Sequence, residues 1–405
     1  METQHRALPL PLPRAPSAHR TPRAAIPLAV RGIDDARHLG FLLEKARPES
    51  ISFLQCPAWG RVKTAWRAKS VGWFSGHRLV GTALVLHRDL PALPLLGRRS
   101  LAYIPEGPTV DWFGAGRTTA DWIDPLLAHL RAAGVFDVKM GPKVIGRTWP
   151  ARAVKTGMAD PAYADFSALP ADLTSIEAHR LVEELRSLGW RRHDSGDQGI
   201  ADTQPRHFVR LRLRGRDPAD LFADLSPQWR RNIRIAERGG VRVWRASAAD
   251  LPTFHAMYLE TARRDRFLPR PLAYFQQMFR ELLAADSGSV RLYLAGADGV
   301  AAAGATMIRF GGHAWFAYGA STTERREQRA SNALQWQMMR DCLADGMDVY
   351  DIRGVAETLD PEHPMFGLLR FKVGTGGEIV EYPGEYDFAL SRPLAFAVRM
   401  YLRHR

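Results

Sequence analysis

The stretch GVAAAGATMIRFGGHAWFAYGAST, residues 299–322, decides the fold because the first half of the chain repeats its pattern. It contains two predicted β-strands, and a predicted helix and a further strand follow it at residues 331–346 and 347–355. The same order of two strands, a helix and a strand occurs at residues 78–88, 100–112, 120–134 and 135–142. Both helices end at a glycine, as helix C-termini often do. The repeat predicts two α/β units, of the α+β type, with similar topology.

The composition is that of a folded, soluble protein with two domains. Its 405 residues exceed what one core usually supports, and 46% of them are hydrophobic while 24% are charged. No apolar run is long enough to span a membrane. Residues 1–30, rich in Pro, Ala and Arg, are expected to be a disordered basic tail rather than a signal peptide. Two cysteines, Cys56 and Cys342, exclude a disulfide scaffold, cannot form a zinc site alone and fit a reducing cytoplasm.

Basic residues are in excess, with 56 Lys and Arg against 43 Asp and Glu and a net charge of +13. Such a surface attracts nucleic acid, phosphorylated metabolites or an anionic membrane, although an arginine-rich composition alone produces the same number. The clearest basic feature is a predicted helix that begins at the N-cap Ser226. Arg230 and Arg234 lie four residues apart on it, with Asn232 at their flank, and form a stripe that is either an anion site or a solvated face.

A lone cation precedes a run of glycines near the C-terminus. Lys372 is followed by Gly374, Gly376 and Gly377, between two segments that are predicted to be strands. Glycine permits either a tight turn or a close approach of the backbone to a bound molecule. The residues alone therefore leave two interpretations, a hairpin turn with a surface lysine and a binding loop with a functional cation.

Seven blocks of sequence, in a common order, resemble the FemABX family of tRNA-dependent aminoacyltransferases, which build peptidoglycan cross-bridges. The resemblance runs from about residue 50 to about residue 390. One departure is Thr375, where the family motif FKxGFGG commonly has a second aromatic residue. The blocks are SFLQCPAWGRVK, YIPEGPTVD, QPRHFVRLRL, SPQWRRNIRIAERGGV, FAYGAST, YDIRGV and GLLRFKVGTGGEIVEYPGEYD.

The resemblance implies a fold of two tandem GNAT-like acyltransferase domains, which agrees with the internal repeat. It also implies that the last stretch of chain returns to complete the first domain. The expected limits are residues 31–151 with 384–405 for domain 1, and residues 152–383 for domain 2. Residues 241–300 show no sustained heptads, so we expect the long helical arm of some members to be absent.

The activity that the resemblance implies is transfer of an amino acid from aminoacyl-tRNA to the stem-peptide amine of a peptidoglycan precursor. Because the ester is already activated, the enzyme must mainly position the two partners and stabilise the oxyanion. Lys372 is the expected oxyanion stabiliser, and Gly374, Gly376 and Gly377 are expected to admit the 3′ end of the tRNA. No metal or other cofactor is expected beyond the aminoacyl-tRNA co-substrate, and the chain is expected to act as a cytoplasmic monomer.

Three further residues are candidates for contact with the reacting groups. Asp111 is a candidate general base, although an aspartate that caps a turn at a strand end explains it equally well, and the expelled ribose oxygen can take the proton itself. Tyr103 and Tyr318 end corresponding strands in the two halves. Their hydroxyls are expected to hydrogen-bond substrate, unless they are ordinary residues at the edge of the core.

The acceptor, a nucleotide-linked (UDP) or lipid-linked muropeptide, carries a diphosphate that basic side chains can bind. Lys63 and the stripe of Arg230 and Arg234, with Asn232, are the candidates. The basic amphipathic segment at residues 391–405 is expected either to rest on the inner face of the plasma membrane or to pack against domain 1.

Two other classes of function remain open. A GNAT-type N-acyltransferase that uses another activated acyl donor, or acts on a small-molecule or antibiotic amine, shares the predicted fold. Acetyl-CoA enzymes of this type hold the pyrophosphate with a glycine-rich turn at a helix start, and neither residues 324–336 nor residues 114–122 contain that pattern. A noncatalytic RNA-binding protein would explain the charge but not the lysine beside its glycines.

Overall fold

The computed structural model describes residues 26–45, 50–91, 97–192 and 204–403, with side chains up to residue 400. Residues 1–25, most of the predicted basic tail, lie outside the described residues. The end of that predicted tail is corrected, because Leu28–Gly32 forms a strand that pairs with residues 71–75. Leu28 and Val30 on this strand pack against a hydrophobic core, which a disordered tail would not do.

The described residues form strands and helices in an order that repeats. The strands are β1 (Leu28–Gly32), β2 (Arg67–Ser75), β3 (Arg78–Asp89), β4 (Ser100–Ile104), β5 (Thr109–Val110), β6 (Val135–Met140), β7 (Arg147–Trp149), β8 (Leu173–Thr174), β9 (Arg191–Arg192), β10 (His207–Arg212), β11 (Arg242–Ala246), β12 (Val290–Ala297), β13 (Val300–Phe310), β14 (His313–Ser321), β15 (Val349–Val355), β16 (Glu378–Glu381) and β17 (Tyr386–Ala389). The α-helices are α1 (Asp35–Lys45), α2 (Pro57–Val62), α3 (Thr119–Ala132), α4 (Ala151–Gly157), α5 (Ile176–Ser187), α6 (Pro218–Asp224), α7 (Pro227–Arg238), α8 (Leu251–Asp265), α9 (Leu272–Ala285), α10 (Ala330–Ala344), α11 (Phe366–Val373) and α12 (Arg392–Arg403).

The first sheet has the strand order β1-β2-β3-β4-β6-β17-β9, and β5 also pairs with β3. Strands β1 to β4 pair antiparallel, whereas β4 and β6 run parallel. A parallel pair needs a crossover, and α3 provides it. This helix begins with a capping box in which the Thr118 side chain and the Asp121 side chain each accept a hydrogen bond from the other residue's backbone N–H.

The second sheet, β11-β12-β13-β14-β15-β10-β16-β7-β8, repeats this scheme. Strands β11 to β14 pair antiparallel, β14 and β15 run parallel, and α10 connects them. Two helices follow the first strand in both units, α1 and α2 after β1, and α8 and α9 after β11. The repeated topology confirms the prediction of two tandem GNAT-like units. The helices α8 and α9 have 15 and 14 residues, so the described segment between β11 and β12 contains no long helical arm.

The two units divide the chain differently from the predicted domain limits. Strand β7, predicted to belong to domain 1, pairs with β16 in the second sheet, where Trp149 lies opposite Ile379. Helix α5, predicted to belong to domain 2, packs Leu181 and Leu185 into the core of the first unit, and β9 pairs with β17. Short strands and an amphipathic helix do not reveal their partners locally, which explains the difference. Strand β17 lies beside β6 in the first sheet.

A hydrophobic core between the two units determines where residues of both meet. The ring of Phe53 lies 4.9 Å from that of Trp59 in the first unit and 5.0 Å from that of Trp315 in the second unit, measured between centroids. Phe254 of α8 and Phe275 of α9 complete this core. Because protein interiors are close-packed, such a shared core holds the two units in one relative orientation.

The C-terminal helix α12 packs against the first unit. Ala395 is buried there, and the Arg399 guanidinium donates a hydrogen bond to the Asp137 carboxylate of β6 at 3.0 Å. Phe396 and Met400 remain exposed on its outer side. None of the helices in the described residues combines the length and the apolar character needed to cross a membrane.

Candidate functional site

The segment before the glycine run is a helix, so the predicted strand at this position is wrong. Leu369 and Val373 of α11 are both buried and lie four residues apart, which is the spacing of one helix face. Lys372 occupies the last turn of this helix. The apolar run is too short for periodicity alone to distinguish a strand from a buried helix.

Lys372 is a buried cation that binds a backbone carbonyl. Its side chain is 5% exposed, and its Nζ donates a hydrogen bond to the carbonyl oxygen of Gly354 at 2.7 Å. Burial lowers the pKa of Lys372 to about 7, while the Asp351 carboxylate opposes this decrease and the Arg353 guanidinium adds to it. An ammonium has three donors, so two remain for another acceptor.

The glycines after Lys372 are packed against the protein itself. A Cβ atom at any of them would collide with atoms of α6, α7 or β10. The atoms nearest to these Cβ positions are Trp229 Cδ1 at 2.3 Å for Gly374, the Asp224 carbonyl oxygen at 2.7 Å for Gly376 and the Arg210 carbonyl oxygen at 2.9 Å for Gly377. Gly376 also has a φ of +83°, which favours glycine. These glycines therefore permit a close approach to the chain's own backbone and to Trp229, while their contact with a tRNA end stays a prediction.

Thr375, the departure from the family motif, lies two residues after the end of α11. Its side chain is buried, and its Oγ1 donates a hydrogen bond to the Lys372 carbonyl oxygen at 2.6 Å. The backbone N–H of Gly377 donates to the same Oγ1. The threonine thus satisfies a carbonyl that helix ends leave without an intrahelical partner.

A buried network of charges joins the two units beside Lys372. The Glu106 carboxylate accepts hydrogen bonds from Ser52 Oγ at 2.7 Å, from Lys143 Nζ at 2.8 Å and from Arg353 Nη1 at 2.9 Å. Arg353 also donates through Nη2 to Gln204 Oε1 at 2.8 Å. Burial raises the pKa of Glu106, but Lys143 and Arg353 outweigh it and hold this pKa far below its usual range. Arg353 comes from β15, so the network spans both units.

Two cations, Lys63 and Arg270, lie against a pair of tyrosines. Lys63 Nζ lies 4.9 Å from the Trp59 ring centroid and 5.4 Å from that of Tyr274, and the Arg270 guanidinium lies 5.6 Å from the Tyr274 ring. The hydroxyls of Tyr274 and Tyr318 are 3.0 Å apart. Burial, followed by repulsion from Arg270, lowers the pKa of Lys63 to about 8. Within the described part of the chain no carboxylate forms an ion pair with either cation, so this pair attracts an anion.

Tyr103 connects to the same region from the first unit. Its hydroxyl donates a hydrogen bond to Glu385 Oε1 at 2.5 Å. Burial and then the charge of Glu385 raise the pKa of Tyr103 well above its usual value, so the phenol stays protonated. Gln204 lies beside this hydroxyl and also accepts from Arg353. Tyr103 is thereby coupled to the network of charges between the units.

Arg230 of the predicted basic stripe is committed to a structural contact. Its Nη1 donates hydrogen bonds to the carbonyl oxygens of Ala223 at 2.7 Å and Leu225 at 2.8 Å. These carbonyls lie at the C-terminal end of α6, which ends at Asp224. A guanidinium at this position complements the negative end of the helix.

The other stripe residues are carried by α7, whose opposite face packs against the core of the second unit, whereas Lys63 follows Val62 of the core between the units. Asn232 donates through Nδ2 to Asn332 Oδ1 at 3.2 Å. Arg234 is exposed, and its guanidinium lies 5.7 Å from the Phe222 ring centroid. The structure therefore does not bring the stripe together with Lys63 as one diphosphate site.

Asp111 is an exposed residue of a turn after β5. Its carbonyl oxygen accepts a hydrogen bond from the Gly114 N–H at 3.3 Å. The contacts described for Asp111 are those of a turn residue, and they include neither Lys372 nor the tyrosine pair. The interpretation of a strand-end turn accounts for them.

The structure places Lys372 and Tyr318 close to Arg353 and connects Tyr103 to it through Gln204. Lys63 reaches Tyr318 through Tyr274, and these four predicted residues come from four separate blocks of sequence. Sequence reasoning missed the groups that connect them. The blocks YIPEGPTVD and YDIRGV contain Glu106 and Arg353, but the sequence of a block does not reveal which of its side chains are buried. The residues that were missed are Glu106, Lys143, Gln204, Arg270, Tyr274, Arg353 and Glu385.

Known proteins resemble this chain over most of its length. Lipid II:glycine glycyltransferase of Staphylococcus aureus (strain bovine RF122 / ET3-1) is 23% identical, covering 89% of this chain and 93% of that protein. The protein of the same name from Staphylococcus saprophyticus is 22% identical with the same coverage. The crystal structure of FemX superimposes with a TM-score of 0.73 at 20% identity, covering 91% of this chain and 99% of that one, and thus has the same fold. The model of the FemAB family matches residues 44–287 and 289–404, and the chain belongs to that family.

Proposed function

We propose that this chain transfers an amino acid from aminoacyl-tRNA to the stem-peptide amine of a peptidoglycan precursor. Membership of the FemAB family and relatives named as glycyltransferases make the chain an acyltransferase, as the sequence predicts. The relatives' names supply the acceptor class, lipid II, and the chain spans 93% of their length. The tRNA donor and the specific amino acid belong to the proposal.

The observation that carries the proposal is Lys372. It is a buried ammonium whose described hydrogen bond goes to a neutral carbonyl, that of Gly354, so two of its N–H groups remain for a substrate. In a site shielded from water such a donor stabilises a developing oxyanion far better than an exposed one does.

The reaction needs little further covalent chemistry from the protein. The amine nitrogen of the acceptor attacks the ester carbonyl carbon, and a C–N bond forms while the carbonyl oxygen becomes an oxyanion beside Lys372. The C–O bond to the tRNA ribose then breaks, and the proton lost by the amine goes to the ribose oxygen. The protein's contribution is to hold donor and acceptor in reacting geometry and to stabilise the oxyanion.

The pair of Lys63 and Arg270 supports a diphosphate-bearing acceptor. Two cations with no described carboxylate partner fit adjacent phosphates, and the hydroxyls of Tyr274 and Tyr318 next to them add hydrogen-bonding groups. This assignment replaces the Arg230 stripe, because the Arg230 guanidinium is already bound to the end of α6.

The test is a transfer assay with the purified full chain. The chain is incubated with a mixture of charged tRNAs and with a muropeptide acceptor that is either nucleotide-linked or lipid-linked. The mass of the acceptor is then measured by mass spectrometry. We expect the acceptor to gain the mass of one aminoacyl residue, and to gain nothing when the tRNA is uncharged or treated with ribonuclease. Acetyl transfer from acetyl-CoA, or an acceptor mass unchanged with every charged tRNA, contradicts the proposal.

A further inference from the structure

The loop that joins α8 to α9 presents large apolar side chains to solvent next to the cation pair. Leu268 is 91% exposed and Phe267 is 38% exposed. Isolated exposed leucines are common on protein surfaces and need no explanation. This one adjoins Phe267 in the chain and lies two residues from Arg270, which with Lys63 forms the anion-attracting pair.

Hydrogen bonds hold the backbone of this loop in place. Helix α8 ends at Asp265 and is capped by Arg266, whose φ of 56° is left-handed. The N–H groups of Arg266 and Phe267 both donate to the Ala262 carbonyl oxygen. At the other end, the His255 ring bonds to the Arg270 carbonyl oxygen through Nε2 at 3.0 Å. The Phe267 ring packs against that of Tyr258 at 5.4 Å. The chain thus fixes a loop that directs Leu268 into water.

The surroundings of Leu268 are strongly basic. Arg263, Arg266 and Arg270 are exposed. Among the described residues 263–270, the ion pair is the one between Arg264 and Asp265. The loop and the end of α8 therefore combine a net positive charge with an apolar tip, which is the character of surfaces that bind anionic membranes.

We propose that the loop at residues 266–270 docks on an anionic lipid bilayer and thereby presents the Lys63–Arg270 pair to the diphosphate of a lipid-linked acceptor. This rests on the proposed function and decides between its two acceptor classes, since a nucleotide-linked acceptor needs no membrane. A bilayer offers both an anionic plane and an apolar layer just beneath it. RNA offers phosphates and flat bases, which suit arginine and aromatic rings but leave an exposed leucine without a partner.

The first experiment measures sedimentation of the full chain with vesicles of phosphatidylglycerol and phosphatidylcholine, and with vesicles of phosphatidylcholine alone. We expect binding to the anionic vesicles, reduced roughly tenfold by Leu268→Ser because that leucine no longer enters the apolar layer. Arg266→Gln should reduce it about fivefold through the loss of one charge near the surface. Both residues are exposed, so neither change should impair folding.

Two matched variants separate this loop from other exposed apolar residues. Ile176→Ser removes an 80% exposed side chain at the start of α5, and Phe396→Ser removes a 68% exposed one from the basic helix α12. Vesicle binding should survive both. Loss of binding with Phe396→Ser but not with Leu268→Ser would assign the membrane contact to α12 and overturn the proposal. Loss of tRNA binding with Leu268→Ser, with vesicle binding intact, would overturn it in favour of RNA.

The second experiment measures transfer to a lipid-linked acceptor in vesicles and to a soluble nucleotide-linked acceptor. For Leu268→Ser we expect the KM for the vesicle-bound acceptor to rise roughly tenfold, since less enzyme resides at the membrane, while kinetics with the soluble acceptor stay unchanged. Equal effects on both acceptors contradict the docking role. Absence of transfer to either acceptor by the wild-type chain, with vesicle binding intact, would instead refute the proposed function.

Discussion

At the scale of single residues, Lys372 is both a buried cation and the proposed stabiliser of the oxyanion. Replacing it with Met keeps most of the aliphatic stem and removes the charge. We expect single-turnover transfer to fall roughly 10²–10³-fold, the range for loss of one oxyanion donor. The control is Arg370→Met, which removes an exposed cation from the same helix and should leave the rate near that of the wild type. A Lys372→Met enzyme with near-normal transfer removes this residue from the mechanism.

The pKa of Lys372 makes this contribution depend on pH. Because burial lowers that pKa to about 7, the ammonium is mostly protonated below pH 7 and mostly neutral above it. The ratio of wild-type to Lys372→Met single-turnover rates should therefore be largest below pH 7 and decline as the pH rises through 7. The ratio is the informative quantity, since the acceptor amine titrates equally in both enzymes. A ratio constant from pH 6 to pH 9 would show that the charge of Lys372 does not act on the reaction.

At the scale of elements, α7 divides its arginines between structure and surface. Arg230 bonds to two carbonyls at the end of α6, so Arg230→Ala should lower the free energy of unfolding by roughly 1–2 kcal/mol. Arg234→Ala removes an exposed side chain and should change the free energy of unfolding by less than about 0.5 kcal/mol. Urea unfolding of both variants checks this difference. Equal stability, with weaker acceptor binding for either variant, would restore the stripe as an anion site.

Gly374, the C-cap of α11, and Gly367 near its start form a matched pair of glycines for testing the packed turn. In Gly374→Ala the new Cβ meets Trp229 at 2.3 Å, which should destabilise the protein by roughly 1–3 kcal/mol through overpacking. In Gly367→Ala, on the same helix, nothing lies within 4 Å of the new atom, and stability should rise by up to about 1 kcal/mol. Thermal unfolding of the two variants measures both effects. If Gly374→Ala is as stable as the wild type but inactive, the glycine serves a substrate rather than Trp229.

At the scale of the whole molecule, Glu106 is the buried charge that joins the two units. Glu106→Gln leaves Lys143 and Arg353 buried without their carboxylate and should destabilise the protein by roughly 3 kcal/mol. The matched control is Glu281→Gln, which weakens a partly exposed ion pair with Arg61 across the same units and should cost at most about 1 kcal/mol. Comparable losses from both changes would show that burial of the first pair does not matter.

The pH dependence of the Glu106 contribution has a defined sign. Its folded-state pKa is depressed, so the stabilisation is present above the ordinary value of 4.5 and is lost as the pH falls towards the folded value. The stability difference between the wild type and Glu106→Gln should therefore shrink below pH 4.5. Urea midpoints at pH 7 and pH 3.5 test this, and an undiminished difference at pH 3.5 would contradict the assigned charge state.

Local sequence patterns were sufficient to predict the two repeated units and to single out Lys372 as a candidate functional cation. Strand and helix periodicities, and glycines at helix ends, depend on neighbouring residues, and they predicted the repeated topology that the structure confirms. The ordered blocks of sequence pointed to the family for the same reason, since each is a short contiguous pattern. The eight-residue segment Phe366–Val373, which contains Lys372, was too short to distinguish strand from helix, and there the prediction failed.

The contacts that make up the site could only come from the tertiary structure. Glu106 and Arg353 are 247 positions apart, and Tyr103 and Glu385 are 282 positions apart, so no local pattern links them. The same holds for the atoms of Trp229 and Asp224 that fill the space beside the glycines, and for the α5 and β9 segment that joins the first unit. The sequence by itself determined the repeated order of two strands, a helix and a strand in each unit. Packing of distant elements decided which polar side chains are buried together, because burial and pairing of charges depend on the whole fold.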